Sequence, residues 1–401
     1  MTGISQELDV RRTKKELLHT DELALYIHVP FCIKRCAYCD FYSTKDTGIE
    51  TVRAYVAATV TAISAAEEMF SDAKVPTIYF GGGTPAMLGL RILDVLDAVR
   101  GAFTVLPDAE ITIEANPGSL DPEILEQWMN AGVTRISLGV QSFDKDTLRL
   151  LGRGHTVDDI MRAVSLLDDA GSTFSIDLMC GVPKTRDSQW RDQIEMAIAC
   201  EPDHISIYPL TVEEGTAYAE KLEAGELILP ESTEVADQMQ QAKRMLQDAG
   251  YEHYEVANYA KPGKRSRHNV GYWKGRQYFG IGPSAASMLN HSDGSRFRGV
   301  AHETLDAFLE NPIRMNYEQW SLVEHLDAKQ VQREDLMLGM RMSDGVSIAD
   351  VEMADLRDDF EKLVSHGLVT RNEQQDRYVP TESGWLLGNE IFATIWCSGQ
   401  D

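Results

Sequence analysis

Short runs in which apolar and polar positions alternate recur along the first half of the chain, each followed by a longer helix-like stretch. The runs are ALYIHV (24–29), TIYF (77–80), EITIEA (110–115), RISLGV (135–140), TFSIDLM (173–179) and HISIY (204–208). The stretches between and after them are 51–69, 89–101, 121–131, 144–151, 156–170 and 187–199. Helix starts are marked by Asp121-Pro122 and by Thr156 ahead of Asp158 and Asp159. Strand then helix, repeated in this way, predicts a parallel α/β structure.

The alternation says which α/β structure. Ile136, Leu138 and Val140 share one strand face against Ser137, Gly139 and Gln141, and Phe174, Ile176 and Leu178 oppose Thr173, Ser175, Asp177 and Met179. Ile111 and Ile113 oppose Glu110, Thr112 and Glu114, while Ile205 and Ile207 oppose His204, Ser206 and Tyr208. A doubly wound sheet is apolar on both faces, and a filled eight-stranded barrel puts bulky branched residues inside. One aliphatic and one small or polar face instead predict a partial (β/α)6 TIM-like barrel. Its lumen stays open around a polar ligand, with polar groups at the strand carboxyl ends aimed into the site.

After about residue 210 the rhythm changes. One more helix is expected over 231–249, a strand and its exit over 251–260, and a loop over 261–287. Helix, β-hairpin across Leu368 to Val379 and a last helix give the closing segment a winged-helix-like α+β order. The expected division is an amino-terminal extension (1–22), the barrel (23–290), a connector (291–320) and the winged-helix-like unit (321–401).

Charge narrows the partners. The 401 residues carry 38 Lys and Arg against 63 Asp and Glu, a formal net charge of -25, which argues against nucleic acid and against anionic lipid. The last unit holds 16 acids and 7 Lys or Arg, so it is read as a lid or docking domain rather than a DNA reader. With neither a secretory signal nor an apolar run long enough to span a membrane, the expected location is cytoplasmic.

Cys32, Cys36 and Cys39 form C-x3-C-x2-C directly after the first strand, whereas Cys180, Cys200 and Cys397 are scattered and read as small hydrophobes. A loop at a strand's carboxyl end can aim three thiolates at one point. Three thiolates bind three irons of a [4Fe-4S] cube and leave the fourth open; zinc with His28 as a fourth ligand, or three unremarkable thiols, are the competing readings.

The triplet resembles that of the radical SAM superfamily, and the resemblance continues through YIHVPFC (26–32), CAYCDF (36–41), GGGTP (81–85), EANP (114–117), GVQSF (139–143), LGRGH (151–155) and IDLMCGVP (176–183). This order is similar to the oxygen-independent coproporphyrinogen III oxidase-like family, over about 22–396. The resemblance implies that S-adenosylmethionine binds the open iron and is split by one electron into methionine and a 5′-deoxyadenosyl radical. It also implies cofactor contacts from Tyr26, Tyr38, Gly82, Gly83, Thr84 and Glu114, and a second adjacent cofactor pocket at Gln141, Arg153 and Asp177. The glycines read equally as a tight turn, Glu114 as a solvated strand-end acid, and Arg153 as one half of a surface salt bridge with Asp146.

Two features separate the branches of that family. The oxidases carry a further cysteine straight after the third ligand and a longer amino-terminal extension; here Asp40 and Phe41 follow Cys39, and 25 residues precede Tyr26. RHNVGYW (267–273) resembles the HNxxYW motif of the haem-chaperone branch, which implies haem contacts from His268, Asn269, Tyr272 and Trp273. The six cations Lys261, Lys264, Arg265, Arg267, Lys274 and Arg276, with no acid among them, suit haem propionates. A surface loop with an ordinary histidine is the plainer reading. The expected function is therefore a haem chaperone holding a [4Fe-4S] cluster, S-adenosylmethionine and haem as cargo for an apo-haemoprotein acceptor. A small electron-transfer protein is its expected reductant, and a homodimer its candidate assembly. The alternative is a radical enzyme acting on a tetrapyrrole, an oxygen-independent coproporphyrinogen III oxidase or a haem-modifying methyltransferase.

Overall fold

The structure, a computed structural model, describes residues 22–70, 72–314 and 319–398. The extension expected over 1–22 lies outside the described residues except for Glu22. Strands β1 (Ala24–Val29), β2 (Lys74–Gly82), β3 (Thr104–Ala115), β4 (Arg135–Gln141), β5 (Thr173–Cys180) and β6 (His204–Pro209) pair in parallel in chain order. They are the six alternating runs, slightly lengthened. The helices Ile49–Phe70, Arg91–Ala102, Pro122–Asn130, Lys145–Leu151, Val157–Asp169 and Asp187–Ala199 lie between and after them.

The two strand faces part as expected. Ile27, Ile113, Ile136, Leu138, Ile176 and Ile205 are buried in one cluster with Val95, Trp128, Ile160 and Ile194 of the covering helices. Each such side chain contributes about 1.5–3 kcal/mol by leaving water, and only this register gives the polar face to the lumen.

The sheet continues beyond the barrel. β7 (Glu252–His253) and β8 (Asn258–Ala260) form a hairpin antiparallel to β6, and β9 (Tyr278–Ile281) joins β1 in parallel. β10 (Ala286–Asn290), β11 (Arg296–Val300) and β12 (Ser321–Leu326) extend that edge antiparallel, giving the order 12-11-10-9-1-2-3-4-5-6-8-7. The segment 261–287 is thus not a loop throughout. It holds the helix Arg267–Trp273, all of β9 and the start of β10. Residues 291–320 contribute β11 and the helix Leu305–Glu310.

The carboxyl-terminal unit packs helices Ala328–Gly339, Ile348–Met353, Arg357–Ser365, Glu382–Leu386 and Gly388–Cys397 around a sheet of β13 (Val346–Ser347), β15 (Arg377–Pro380) and β14 (Val369–Asn372). Its own core includes Leu336, Phe360, Leu363, Ile391 and Ile395. Glu334 ties it to the barrel's extra strands through Arg296, at 2.5 Å, and through Arg298. No helix among the described residues is long and apolar enough to cross a membrane.

Candidate cofactor site

β1 ends in the cysteine loop. The loop is pinned at its start by Cys32 N–H to Thr44 C=O (3.0 Å) and Thr44 N–H to Pro30 C=O (2.7 Å), and in its middle by Ala37 N–H to Leu151 C=O (3.1 Å). Cys32, Cys36 and Cys39 are all half-buried and all line a cavity of ≈ 350 Å³ at the strand carboxyl ends. Tyr38, Gly82, Gly83, Thr84, Glu114, Gln141, Arg153, Asp177 and Asn269 line it with them. Tyr26, His268, Tyr272 and Trp273 stand outside that lining.

The two thiol contacts come from different parts of the barrel, Thr84 after β2 and Arg153 in the turn between the helices Lys145–Leu151 and Val157–Asp169. Asn116 Nδ2 donates to Thr84 Oγ1 at 2.9 Å, which leaves the Thr84 hydroxyl free to face Cys32 Sγ at 3.8 Å. Arg153 donates from Nη1 to Cys36 Sγ at 3.2 Å, and from Nη2 to Gly139 C=O at 2.7 Å and to Asn116 Oδ1. The surface pairing with Asp146 belongs to Arg149 instead, at 2.8 Å. Asn116, Tyr79, Arg135 and His204 also line the cavity and were not among the expected site residues. For Tyr79 the signal was present: Thr77 and Tyr79 alternate with Ile78 and Phe80 along β2.

Deeper in, Glu114 accepts from Tyr79 Oη (2.8 Å) and from Gly82 N–H (3.2 Å). Burial pushes its carboxyl up to about 7, partly offset by the Tyr79 hydroxyl. Asp177 is raised in the same direction by burial, while hydroxyls of Ser206 and Ser137 pull it back. Gln141 holds φ 66, a left-handed turn at the end of β4.

The glycines serve the protein's own packing. A Cβ on Gly82, at φ +107, would meet the His28 ring at 2.6 Å, and one on Gly83 would meet Phe31 C=O at 2.7 Å. Gly83 N–H donates to Val29 C=O at 2.8 Å and Gly82 N–H to Glu114, so both are engaged within the protein rather than standing free for a carboxylate or ribose.

His28 is not available as a zinc ligand. Its Nε2 donates to Tyr42 C=O at 2.9 Å, which makes Nδ1 the acceptor of the Tyr26 hydroxyl at 3.1 Å. The donor set favours a cluster: three half-buried thiols line one cavity, a guanidinium touches one of them, and Arg153 Nε is buried there without a hydrogen-bond partner. Burial raises the Cys32 and Cys39 thiols, so a bound cluster displaces their protons.

The helix Arg267–Trp273 closes the floor beneath. Glu110 accepts from the N–H groups of Arg267 (2.9 Å) and His268 (3.0 Å), fixing the helix start with a carboxylate. His268 is buried, stacked on Tyr79 with ring centroids 4.9 Å apart. Both its ring nitrogens are engaged, Nδ1 with Thr77 Oγ1 at 2.8 Å and Nε2 with the Tyr272 hydroxyl at 2.9 Å. Burial lowers its pKa to about 3. The four haem-motif residues therefore do not share one surface: Asn269 faces the lumen, His268 and Tyr272 pack beneath it, and Trp273 meets Arg341 of the carboxyl-terminal unit while its indole N–H donates to Glu255, between β7 and β8, at 3.0 Å. The cationic run is mostly neutralised, by Asp203 on Lys264, Glu252 and Asp344 on Arg265, Asp108 on Arg267 and Glu22 on Arg276.

Residues 26–197 match the Radical SAM superfamily, and residues 326–387 match the HemN C-terminal domain. The chain is 36% identical over 339 residues to a protein of Synechocystis sp. named "Heme chaperone HemW", covering 82% of this chain and 80% of that one. It is 34% identical over 375 residues to a protein of the same name from Mycobacterium tuberculosis, covering 92% and 94%. Coproporphyrinogen III oxidase (HemN) from Escherichia coli, a radical SAM enzyme, superposes with a TM-score of 0.78 at 21% identity, over 98% of this chain and 93% of that one, which shows the shared fold. The radical SAM family implies a [4Fe-4S] cluster and S-adenosylmethionine, and the thiols and polar lumen described above fit both. With identity running through barrel and carboxyl-terminal unit alike, the chain belongs to the HemW family of radical SAM proteins.

Proposed function

We propose that the chain is a haem chaperone: it holds a [4Fe-4S] cluster on Cys32, Cys36 and Cys39, binds S-adenosylmethionine in the lumen, and delivers haem to an apo-haemoprotein. The observation that carries this reading is the 34% identity to a named haem chaperone along 92% of the chain. In the lumen, Arg153 and Thr84 would set the charge and orientation at two of the thiols. Glu114, Gln141, Asp177 and Tyr38 would hold the polar ends of the cofactor, Gly82 and Gly83 would shape the turn that carries Thr84, and Tyr26 would act through His28 behind them. When bound, the cluster and its cofactor would supply one-electron chemistry at the strand carboxyl ends.

Ile33 (81% exposed) and Phe41 (61%) flank the cysteines, and Lys34 and Arg35 are exposed beside them. An exposed apolar pair with cations at the cluster's edge supports docking of a small acidic electron-transfer protein as reductant, or of a second copy of the chain. The function is tested by loading the reconstituted protein with haem and following the Soret band as a purified apo-haemoprotein is added. Transfer that a non-haem-loaded control does not give is the expected result. Formation of a vinyl product from coproporphyrinogen III under reducing anaerobic conditions would overturn it.

A further inference from the structure

Alternation along β2 puts Thr77 and Tyr79 on the face opposite Ile78 and Phe80, and the helix Arg267–Trp273 packs on β2. His268 meets that face with all of its polar atoms used: Nδ1 lies 2.8 Å from Thr77 Oγ1, and Nε2 lies 2.9 Å from the Tyr272 hydroxyl. Burial and the nearby Arg276 lower its pKa to about 3. The imidazole is therefore neutral, with one nitrogen donating and the other accepting, and the ring is locked in place. It stacks on Tyr79, with centroids 4.9 Å apart and planes 26° from parallel. Tyr79 stacks also on Tyr26 of β1, at 6.2 Å. Gly81 allows this arrangement, because a Cβ there would stand 2.9 Å from both tyrosine rings.

The Tyr79 phenol leads into the lumen. Its hydroxyl donates to Glu114 Oε1 at 2.8 Å, while Glu114 Oε2 accepts from Gly82 N–H at 3.2 Å. Glu114 lines the lumen and forms no ion pair among the described residues, so its orientation rests on these two donors. A carboxylate held in this way can accept from a cationic or hydroxyl donor of a ligand. The ionisable groups facing it are Tyr79 on β2, Tyr26 on β1, Asp177 on β5 and Tyr272 on the helix. Burial raises the three phenols and Asp177 alike. Among its neighbours the Tyr79 hydroxyl and the Gly82 N–H favour the charged form of Glu114.

We propose that His268 is a positioning residue of the cofactor site: locked by Thr77 and Tyr272, its ring holds the Tyr79 phenol that aims the Glu114 carboxylate at S-adenosylmethionine. The proposal rests on the reading that the lumen binds S-adenosylmethionine. It gives His268 and Tyr272 a part in that site in place of contact with haem, since an imidazole that ligates iron needs a free ring nitrogen and His268 has both engaged. Asn269, the next residue of the same helix, lines the lumen directly.

The test is calorimetric titration of S-adenosylmethionine into the anaerobically reconstituted full-length chain across a pH series, with cluster iron counted in each sample. Wild type is compared with Tyr79→Phe, His268→Gln, His268→Phe and the double variant of Tyr79→Phe with His268→Gln. Tyr79→Phe and His268→Gln are each expected to weaken binding about tenfold. The double variant should be no weaker than Tyr79→Phe alone, because both changes break one chain of contacts. The pH midpoint of binding should rise in both single variants, since Glu114 loses the hydroxyl that favours its charge. His268→Phe keeps a stacking ring and should recover most of the affinity that His268→Gln loses, with cluster iron unchanged throughout. Losses that add in the double variant, an unmoved midpoint, or a His268→Phe protein as weak as His268→Gln would overturn the positioning role while the cofactor reading stands. A wild type that carries its cluster yet binds no S-adenosylmethionine would overturn both.

Discussion

Arg153 Nη1 stands 3.2 Å from Cys36 Sγ, and the same guanidinium holds the Gly139 carbonyl at 2.7 Å. Arg153, 117 residues from Cys36 in sequence, thereby joins the middle cluster thiol to the carboxyl end of β4. A forked cation anchored to the barrel in this way steadies the Cys36 loop and faces the negative charge that a cluster's thiolates would bring.

Arg153→Ala is therefore expected to lower iron and sulfide retained per chain after reconstitution. Arg153→Lys should be partly effective, since a point charge does not reproduce a forked donor. Equal iron content in all three proteins would remove Arg153 from the cluster's surroundings.

Stability should fall as pH rises through a window set by buried acids. Burial pushes Glu255 up to about 7, only partly offset by the Ala257 N–H and the Trp273 indole, and one of its oxygens, Oε1, is buried without a partner. The folded state then keeps a proton that the unfolded chain releases above its ordinary carboxylate range, so stability is lost between about pH 4.5 and 7, by about 3 kcal/mol for this one group. Glu114 acts in the same direction. Glu255→Gln should flatten the dependence of urea-unfolding free energy on pH and raise stability at pH 8; an unchanged slope would contradict the assignment.

Glu334 binds Arg296 and Arg298 at once, and Arg296 and Glu334 are both almost fully buried. Glu334→Ala leaves buried guanidinium charge uncompensated and is expected to cost about 3–5 kcal/mol, measured by chemical denaturation. Because the pair links β11 to the helix Ala328–Gly339, the loss should appear first as separate unfolding of the carboxyl-terminal unit.

The barrel was legible because its strands obey a period of two: Ser137, Ser175, Asp177 and Ser206 face the lumen as their alternation with Ile136, Ile176 and Ile205 requires. The helix Arg267–Trp273 was not. It is seven residues long and follows Pro262 and Gly263, and its start rests on the local cap Ser266 and also on Glu110, more than 150 positions away. Its neighbouring cations read as a free basic patch for the same reason, since Asp108, Asp203, Glu252 and Asp344 reach them only through the fold. Arg153 beside Cys36 likewise depends on the turn between two helices, which no local pattern encodes.

Anaerobic reconstitution of the wild type and of Cys36→Ala with iron and sulfide, followed by analysis of both elements, tests the cluster site most directly. About four irons and four sulfides per chain are expected in the wild type, and near-complete loss in Cys36→Ala with the fold intact by circular dichroism. A wild type that takes up neither element, or a Cys36→Ala protein that retains the full complement, would contradict the account.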